Sequence, residues 1–210
     1  VIGAHPELSI IESTATASLK HGLTFTRSHH IRNITVKTSA NLASDYQMYA
    51  IRMNLDGVTV SGGNQAVKWE SVKVRGFNNS FYADGGDAYN IDRLYFNDLD
   101  AQCSGPASTY IGSCLYVNRV TQVYGTHSQF DQNSTGEHAI YCFGSKNLVF
   151  DGFKIRNADQ GLAQAMKIVG NGIAPDDDQA YHTWSIRNMD IADCLNGILC
   201  GTYGTETLEA

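Results

Sequence analysis

No stretch of the 210-residue chain approaches the about eighteen consecutive apolar residues of a membrane-spanning helix, so insertion into a membrane is not expected. The first residues, VIGAHPELSI, lack the basic start and apolar centre of a signal peptide. A basic excess is also missing: 15 Lys and Arg against 21 Asp and Glu give a net charge of -6, which argues against a nucleic-acid partner. The five Cys are odd in number and none forms a CxxC pair, so neither a disulfide framework nor a zinc site is expected. They read as buried free thiols made in a reducing cytoplasm. No phosphate-binding loop and no G-x-S-x-G elbow occurs, and no cofactor is expected. Helical periodicity is nearly absent as well, with only about 159–168 long enough for two helical turns. With no initiator Met and an abrupt end at TETLEA, the chain reads as one domain, 1–210, cut from a longer protein.

What the chain has is a repeat. The pattern small, apolar, any, apolar begins at Ala50, Ala66, Ala88, Cys114, Ala139 and Ala165, with a weaker copy at Gly197. The intervals are 16, 22, 26, 25, 26 and 32 residues, and a second alternating run follows most copies, as in Ser71-Val72-Lys73-Val74 and Gly152-Phe153-Lys154-Ile155. Short strands at regular spacing fit a β-sandwich as the alternative, but a unit of about 25 residues that keeps one side-chain class in one place is the signature of a solenoid. The expectation is an all-β, right-handed parallel β-helix of about seven coils. The stretch EHAIYCFGSKNLVFDGFKIRN, 137–157, reads as most of one coil: strands at Ala139–Cys142, Leu148–Phe150 and Phe153–Ile155.

Alternation sends the residue between each apolar pair outward. Down the solenoid that column is expected to be Arg52, Lys68, Asn90, Tyr116, Tyr141, Lys167 and Leu199. Tyrosines with Lys, Arg and Asn suit an acidic sugar chain, flat rings meeting sugar faces while cations and amides meet carboxylates and hydroxyls. The next column is expected to read Asn54, Glu70, Asp92, Asn118, Phe143. Glu70 and Asp92 on adjacent coils would then stand about 5 Å apart, the separation of a retaining glycosidase pair, with Lys68 beside them. Further candidate acids lie in turns: Asp84 and Asp87 in Asp84-Gly-Gly-Asp87, and Asp131 and Glu137 around DQNSTGE, with His138 next to Glu137. The run Asp176-Asp177-Asp178 reads as a solvated acidic loop and not a Ca²⁺ site, and adjacent His29 and His30 would point to opposite sides of a strand, so no metal site is expected.

Runs such as NITVKTS, ESVKVRGFNNSFYA, SKNLVFDGFKIRNADQG and WSIRNMDIADCLNGI resemble coils of pectate-lyase-type β-helices. Their Tyr, Asn and long loops are similar to those of bacteriophage tailspikes and capsule depolymerases. The resemblance covers most of Leu23–Cys200, but the pectate-lyase and polygalacturonase signatures are absent, so it transfers no catalytic residue. It implies a homotrimeric virion tail protein, made in the bacterial host cytoplasm, that binds bacterial surface polysaccharide and cuts it by hydrolysis or by lyase chemistry. The alternatives are a non-catalytic glycan-binding or structural fibre and, less in keeping with the missing signatures, a secreted lyase.

Overall fold

The computed structural model describes residues 1–14, 21–39, 49–58, 65–103, 112–132, 138–158, 164–170 and 183–202. They form seventeen strands and no helix, and every strand pairing is parallel. That excludes the antiparallel sandwich and gives a β-solenoid of about five turns, fewer than the seven coils expected. Two of the seven pattern copies, at Ala66 and Ala88, do not begin rungs of the sheet that the other five build, which accounts for the overcount.

Each coil has three faces. Face 1 is a seven-stranded sheet: β2 (Leu23–Phe25), β4 (Tyr49–Asn54), β6 (Asn79–Asp84), β8 (Leu115–Asn118), β11 (His138–Phe143), β14 (Gln164–Gly170) and β17 (Asn196–Thr202). Faces 2 and 3 share a ten-stranded sheet. Three long strands, β3 (His29–Thr38), β5 (Gln65–Arg75) and β7 (Ile91–Gln102), run across both faces. In later coils the same path splits into β9 (Val120–Thr126) and β10 (Gln129–Asp131), β12 (Asn147–Asp151) and β13 (Lys154–Arg156), and β15 (Thr183–Arg187) and β16 (Asp190–Ala192). On face 3, β1 (Ile10–Ser13) adds a first rung.

The corner between faces 2 and 3 is made by backbone conformation. Asn33, Ser71, Asp98, His127, Gly152 and Asn188 all have φ between +46° and +73° and follow one another in register from coil to coil. A single left-handed residue turns the chain without breaking the ladder, and Asn, Asp and Gly tolerate that conformation best.

The interior follows from alternation. Trp69, Phe77, Phe81, Phe96, Phe130, Phe150 and Phe153 are all fully buried among stacked Ile, Val and Leu. Phe96, Gly125 and Phe150 occupy successive rungs of face 2. Side chains two rungs apart would stand about 9.6 Å from each other. The two ring centroids are nonetheless 6.0 Å apart, because Phe96 leans into the space left by Gly125, where Phe153 also reaches. In five successive rungs of face 1 the small residue before the first inward apolar side chain, Ala50, Ser80, Cys114, Ala139 and Ala165, has no exposed surface.

Candidate glycan-binding face

The register of face 1 stacks Thr24, Arg52, Tyr82, Tyr116, Tyr141, Lys167 and Leu199 in one outward column. Arg52, Tyr116, Tyr141, Lys167 and Leu199 therefore fall where alternation put them. Lys68 and Asn90 do not. Lys68 lies on β5, in register with His30 and Tyr95 on face 2, and Asn90 ends the turn before β7. The rung between Arg52 and Tyr116 is Ser80-Phe81-Tyr82-Ala83, whose fourth residue is small, so the apolar pattern passes over it.

The rings are arranged differently from the expectation of open aromatic faces. Tyr82 and Tyr116 stack on each other at 5.0 Å and 10°, and Tyr141 meets Tyr116 edge-on at 5.3 Å and 81°. The Arg52 guanidinium lies 5.6 Å from the Tyr82 centroid and the Lys167 ammonium 5.8 Å from that of Tyr141. Ring faces are thus largely satisfied within the column by neighbouring rings and cations. What such a ladder offers outward is ring edges and hydroxyl groups. Tyr49 joins it at 4.5 Å from Tyr82, with His21 behind at 5.4 Å, and His138 packs at 5.4 Å from Tyr141.

Burial holds these hydroxyls neutral. It pushes Tyr49 up to about 12, against the opposing pull of the Arg52 charge. Tyr82 and Tyr116 are raised further, by burial first, then by the Asp84 charge for Tyr82 and by Tyr141 for Tyr116. At neutral pH each hydroxyl can both donate and accept a hydrogen bond.

The second outward column reads Asn54, Asp84, Asn118, Phe143 and Val169. Asp84, expected as a turn acid, is its one carboxylate. It is 5 % exposed, accepting 2.8 Å bonds from the Tyr82 hydroxyl and the Gly86 N–H. Beside it, the side-chain amide oxygen Oδ1 of Asn118 and the Arg52 Nε are buried without a hydrogen-bond partner among the described residues. Leaving such an atom unsatisfied costs about 1–3 kcal/mol, which a ligand hydroxyl would recover. Asp87 is exposed and pairs with Arg119 at 2.5 Å.

The expected Glu70 and Asp92 pair is not formed. Glu70 stands between Arg32 and Asn97 on face 2, and Asp92 sits at the bulge where Gln65 and Ala66 pair with Ile91 and Arg93. Five residues of extended strand separate Asp92 from Asn97, roughly 16 Å. Glu70 accepts bonds from His30 at 2.6 Å and Lys68 at 3.0 Å, while Asp92 pairs with Arg93 at 3.1 Å. Burial opposes ionisation of Glu70, but the Lys68 and His30 contacts outweigh it and hold its carboxyl below the usual range. His29 and His30 do point apart, His29 accepting the Trp69 indole N–H and His30 reaching Glu70.

No known protein family, curated protein or solved structure matches this chain. Its chemistry has to be read from its own side chains. Glu137 and Asp176–Asp178 lie outside the described residues. His138 opens β11 and accepts the Gln164 N–H at 3.2 Å. Asp131 is on face 3, where it accepts a bond from Asn157 at 2.7 Å. Among the described residues no three His, Cys, Asp or Glu stand together as a metal-binding group, and no helix is long and apolar enough to cross a membrane. Sequence reasoning missed Tyr82, Tyr49 and His21. The signal for Tyr82 was its position two residues before Asp84, matching the spacing of Arg52 to Asn54 and Tyr116 to Asn118.

Proposed function

We propose that this chain is the β-solenoid of a tailspike-type protein that holds a bacterial surface polysaccharide along face 1. The observation that carries the reading is the unbroken column from Arg52 through Tyr82, Tyr116 and Tyr141 to Lys167. Its rungs are spaced about 4.8 Å apart and it ends in a cation on either side. An extended glycan laid along the axis meets hydroxyls and amides in the middle and positive charge at the ends, so the reading favours a polymer that carries some acidic sugars. A homotrimeric fibre in a virion tail belongs to the same reading.

Cleavage of the bound polymer is the second reading, favoured by one observation: Asp84 is a buried carboxylate within the two central columns, hydrogen-bonded to a ladder tyrosine. Asp84 would serve as the acid or base, in place of Glu70 and Asp92. The test uses capsule and exopolysaccharide from candidate hosts. Binding is followed by calorimetry, and polymer size and the ultraviolet absorbance of an unsaturated product are followed over time. Tyr116→Ala is expected to weaken binding about tenfold, near 1.4 kcal/mol. Polymers that bind wild type and Tyr116→Ala equally overturn the binding reading. Asp84→Asn is expected to stop shortening while binding persists; a polymer that binds and never shortens overturns cleavage alone.

A further inference from the structure

Two of the five cysteines meet in the core. Cys103 follows the end of β7 on face 3 and Cys114 precedes β8 on face 1, with ten residues, 104–113, between them. Their sulfurs are 3.1 Å apart, and the two residues are 3 % and 0 % exposed. Cys142 and Cys200, by contrast, share a column of face 1 with Ile168 on the rung between them. Two rungs set their Cα atoms about 9.6 Å apart, beyond the reach of a disulfide.

The corner that holds Cys103 and Cys114 is fixed by both neighbouring coils. From the preceding coil, the Phe81 N–H donates to the Cys114 carbonyl at 3.0 Å, and the Asn79 side-chain oxygen accepts the Ser113 N–H at 3.0 Å. From the following coil, the Asp131 carbonyl accepts the Cys103 N–H at 2.9 Å and the Cys114 thiol at 3.3 Å. Gln132 joins the same corner, its side-chain oxygen 3.2 Å from the Cys114 sulfur and its amide donating to the Gly112 carbonyl. These bonds place the two sulfurs without any help from the contact between them. To reach the roughly 2.05 Å of a disulfide the sulfurs need to close by only about 1 Å, a movement within the reach of two side chains on an unmoved backbone.

We propose that Cys103 and Cys114 are a cross-linking site, a dithiol in reducing surroundings that a low-molecular-weight disulfide such as glutathione disulfide converts to a bond tying the end of β7 to the start of β8. The thiolate of one cysteine attacks glutathione disulfide, whose S–S bond breaks and releases one glutathione thiolate. The thiolate of the other cysteine then attacks the mixed disulfide and releases the second. Two protein thiols are oxidised, one glutathione disulfide is reduced to two glutathiones, and the two protein protons pass to the released thiolates. The cross-link restricts the unfolded chain and so stabilises the fold. Burial makes exchange slow in both directions, so the bond persists once it is closed. It fixes the entry to the strand that carries Tyr116, and it stands whether or not face 1 binds glycan.

The experiment equilibrates the whole chain, until its composition is constant, in glutathione alone and in equimolar glutathione and glutathione disulfide. Samples are quenched in acid, unfolded, alkylated and mapped by mass spectrometry. In the mixed buffer the peptides of Cys103 and Cys114 are expected to be joined, with the loss of two hydrogens, while Cys142 is alkylated. The cross-linked chain is expected to melt roughly 6–12 °C above the reduced chain. The wild-type chain alone decides the cross-link, and Cys103→Ala/Cys114→Ala is the control, expected to melt alike in the two buffers. Two separately alkylated thiols in the mixed buffer, glutathione adducts at Cys103 or Cys114 in place of the cross-link, or a cross-link that leaves the melting temperature unmoved overturns the proposal.

Discussion

Gly125→Ala tests the core packing on which the coil stack depends. A Cβ at this position would lie 2.2 and 2.3 Å from two ring atoms of Phe96 and 2.7 Å from Phe153, and both rings are fully buried. Neither ring can swing into solvent, so each must shift by about 1 Å into neighbours already at close-packed density. Overpacking of this kind costs about 1–3 kcal/mol, and two displaced rings place Gly125→Ala in the upper half of that range. For a chain of this size the melting temperature should fall by roughly 4–12 °C, read by circular dichroism. Phe96→Leu removes the ring atoms that the new methyl would strike. The double variant should therefore be at least about 1 kcal/mol more stable than the sum of the two single changes predicts. A melting temperature unmoved by Gly125→Ala, or strictly additive changes, would refute the leaning-ring packing.

Three further outcomes are expected. At the corner, Ser71 holds φ +49°, so Ser71→Val should destabilise by about 1–2 kcal/mol in a denaturant melt, whereas Ser71→Asn should not; equal effects would mean that the turn does not need the left-handed conformation. Burial depresses His29 from 6.5 to about 4, and its Nε2 accepts the Trp69 N–H, an arrangement only the neutral ring can make. Its contribution is full above pH 6.5 and is lost as pH falls toward 4, because the unfolded chain then binds a proton that the folded chain refuses; the loss is on the order of 2–3 kcal/mol and should be absent in His29→Gln. Cys103 and Cys114 are buried with sulfurs 3.1 Å apart, and burial first, then the Cys103 thiol, holds the Cys114 thiol well above its ordinary value. Diamide should therefore join them slowly into one intramolecular disulfide, with loss of two hydrogens by mass spectrometry; rapid reaction at neutral pH would contradict the burial.

The coil was legible because alternation survives burial: whichever residues face the core must be apolar, and Ala139–Cys142, Leu148–Phe150 and Phe153–Ile155 are the three faces of one turn. The outward column was legible only where the repeat was spelled out fully. Ala66-Val67-Lys68-Trp69 satisfies the same local pattern in a strand of the other sheet, because a local pattern carries no information about which strand lies beside it. That slip and the matching one at Ala88 brought Lys68, Glu70, Asn90 and Asp92 into the wrong columns and hid Tyr82. The stacking of Tyr82 on Tyr116 was not legible at all, since it depends on side-chain rotation and on which cations lie next to the ends of the column.

Face 1 is the centre of the account, and hydrogen exchange tests it most directly. With a host polysaccharide that binds, backbone amides of β4, β6, β8, β11 and β14 should gain protection while those of β9, β12 and β15 on face 2 exchange as before. Protection confined to face 2, or absent from face 1 at saturating polymer, would contradict glycan binding along the tyrosine ladder.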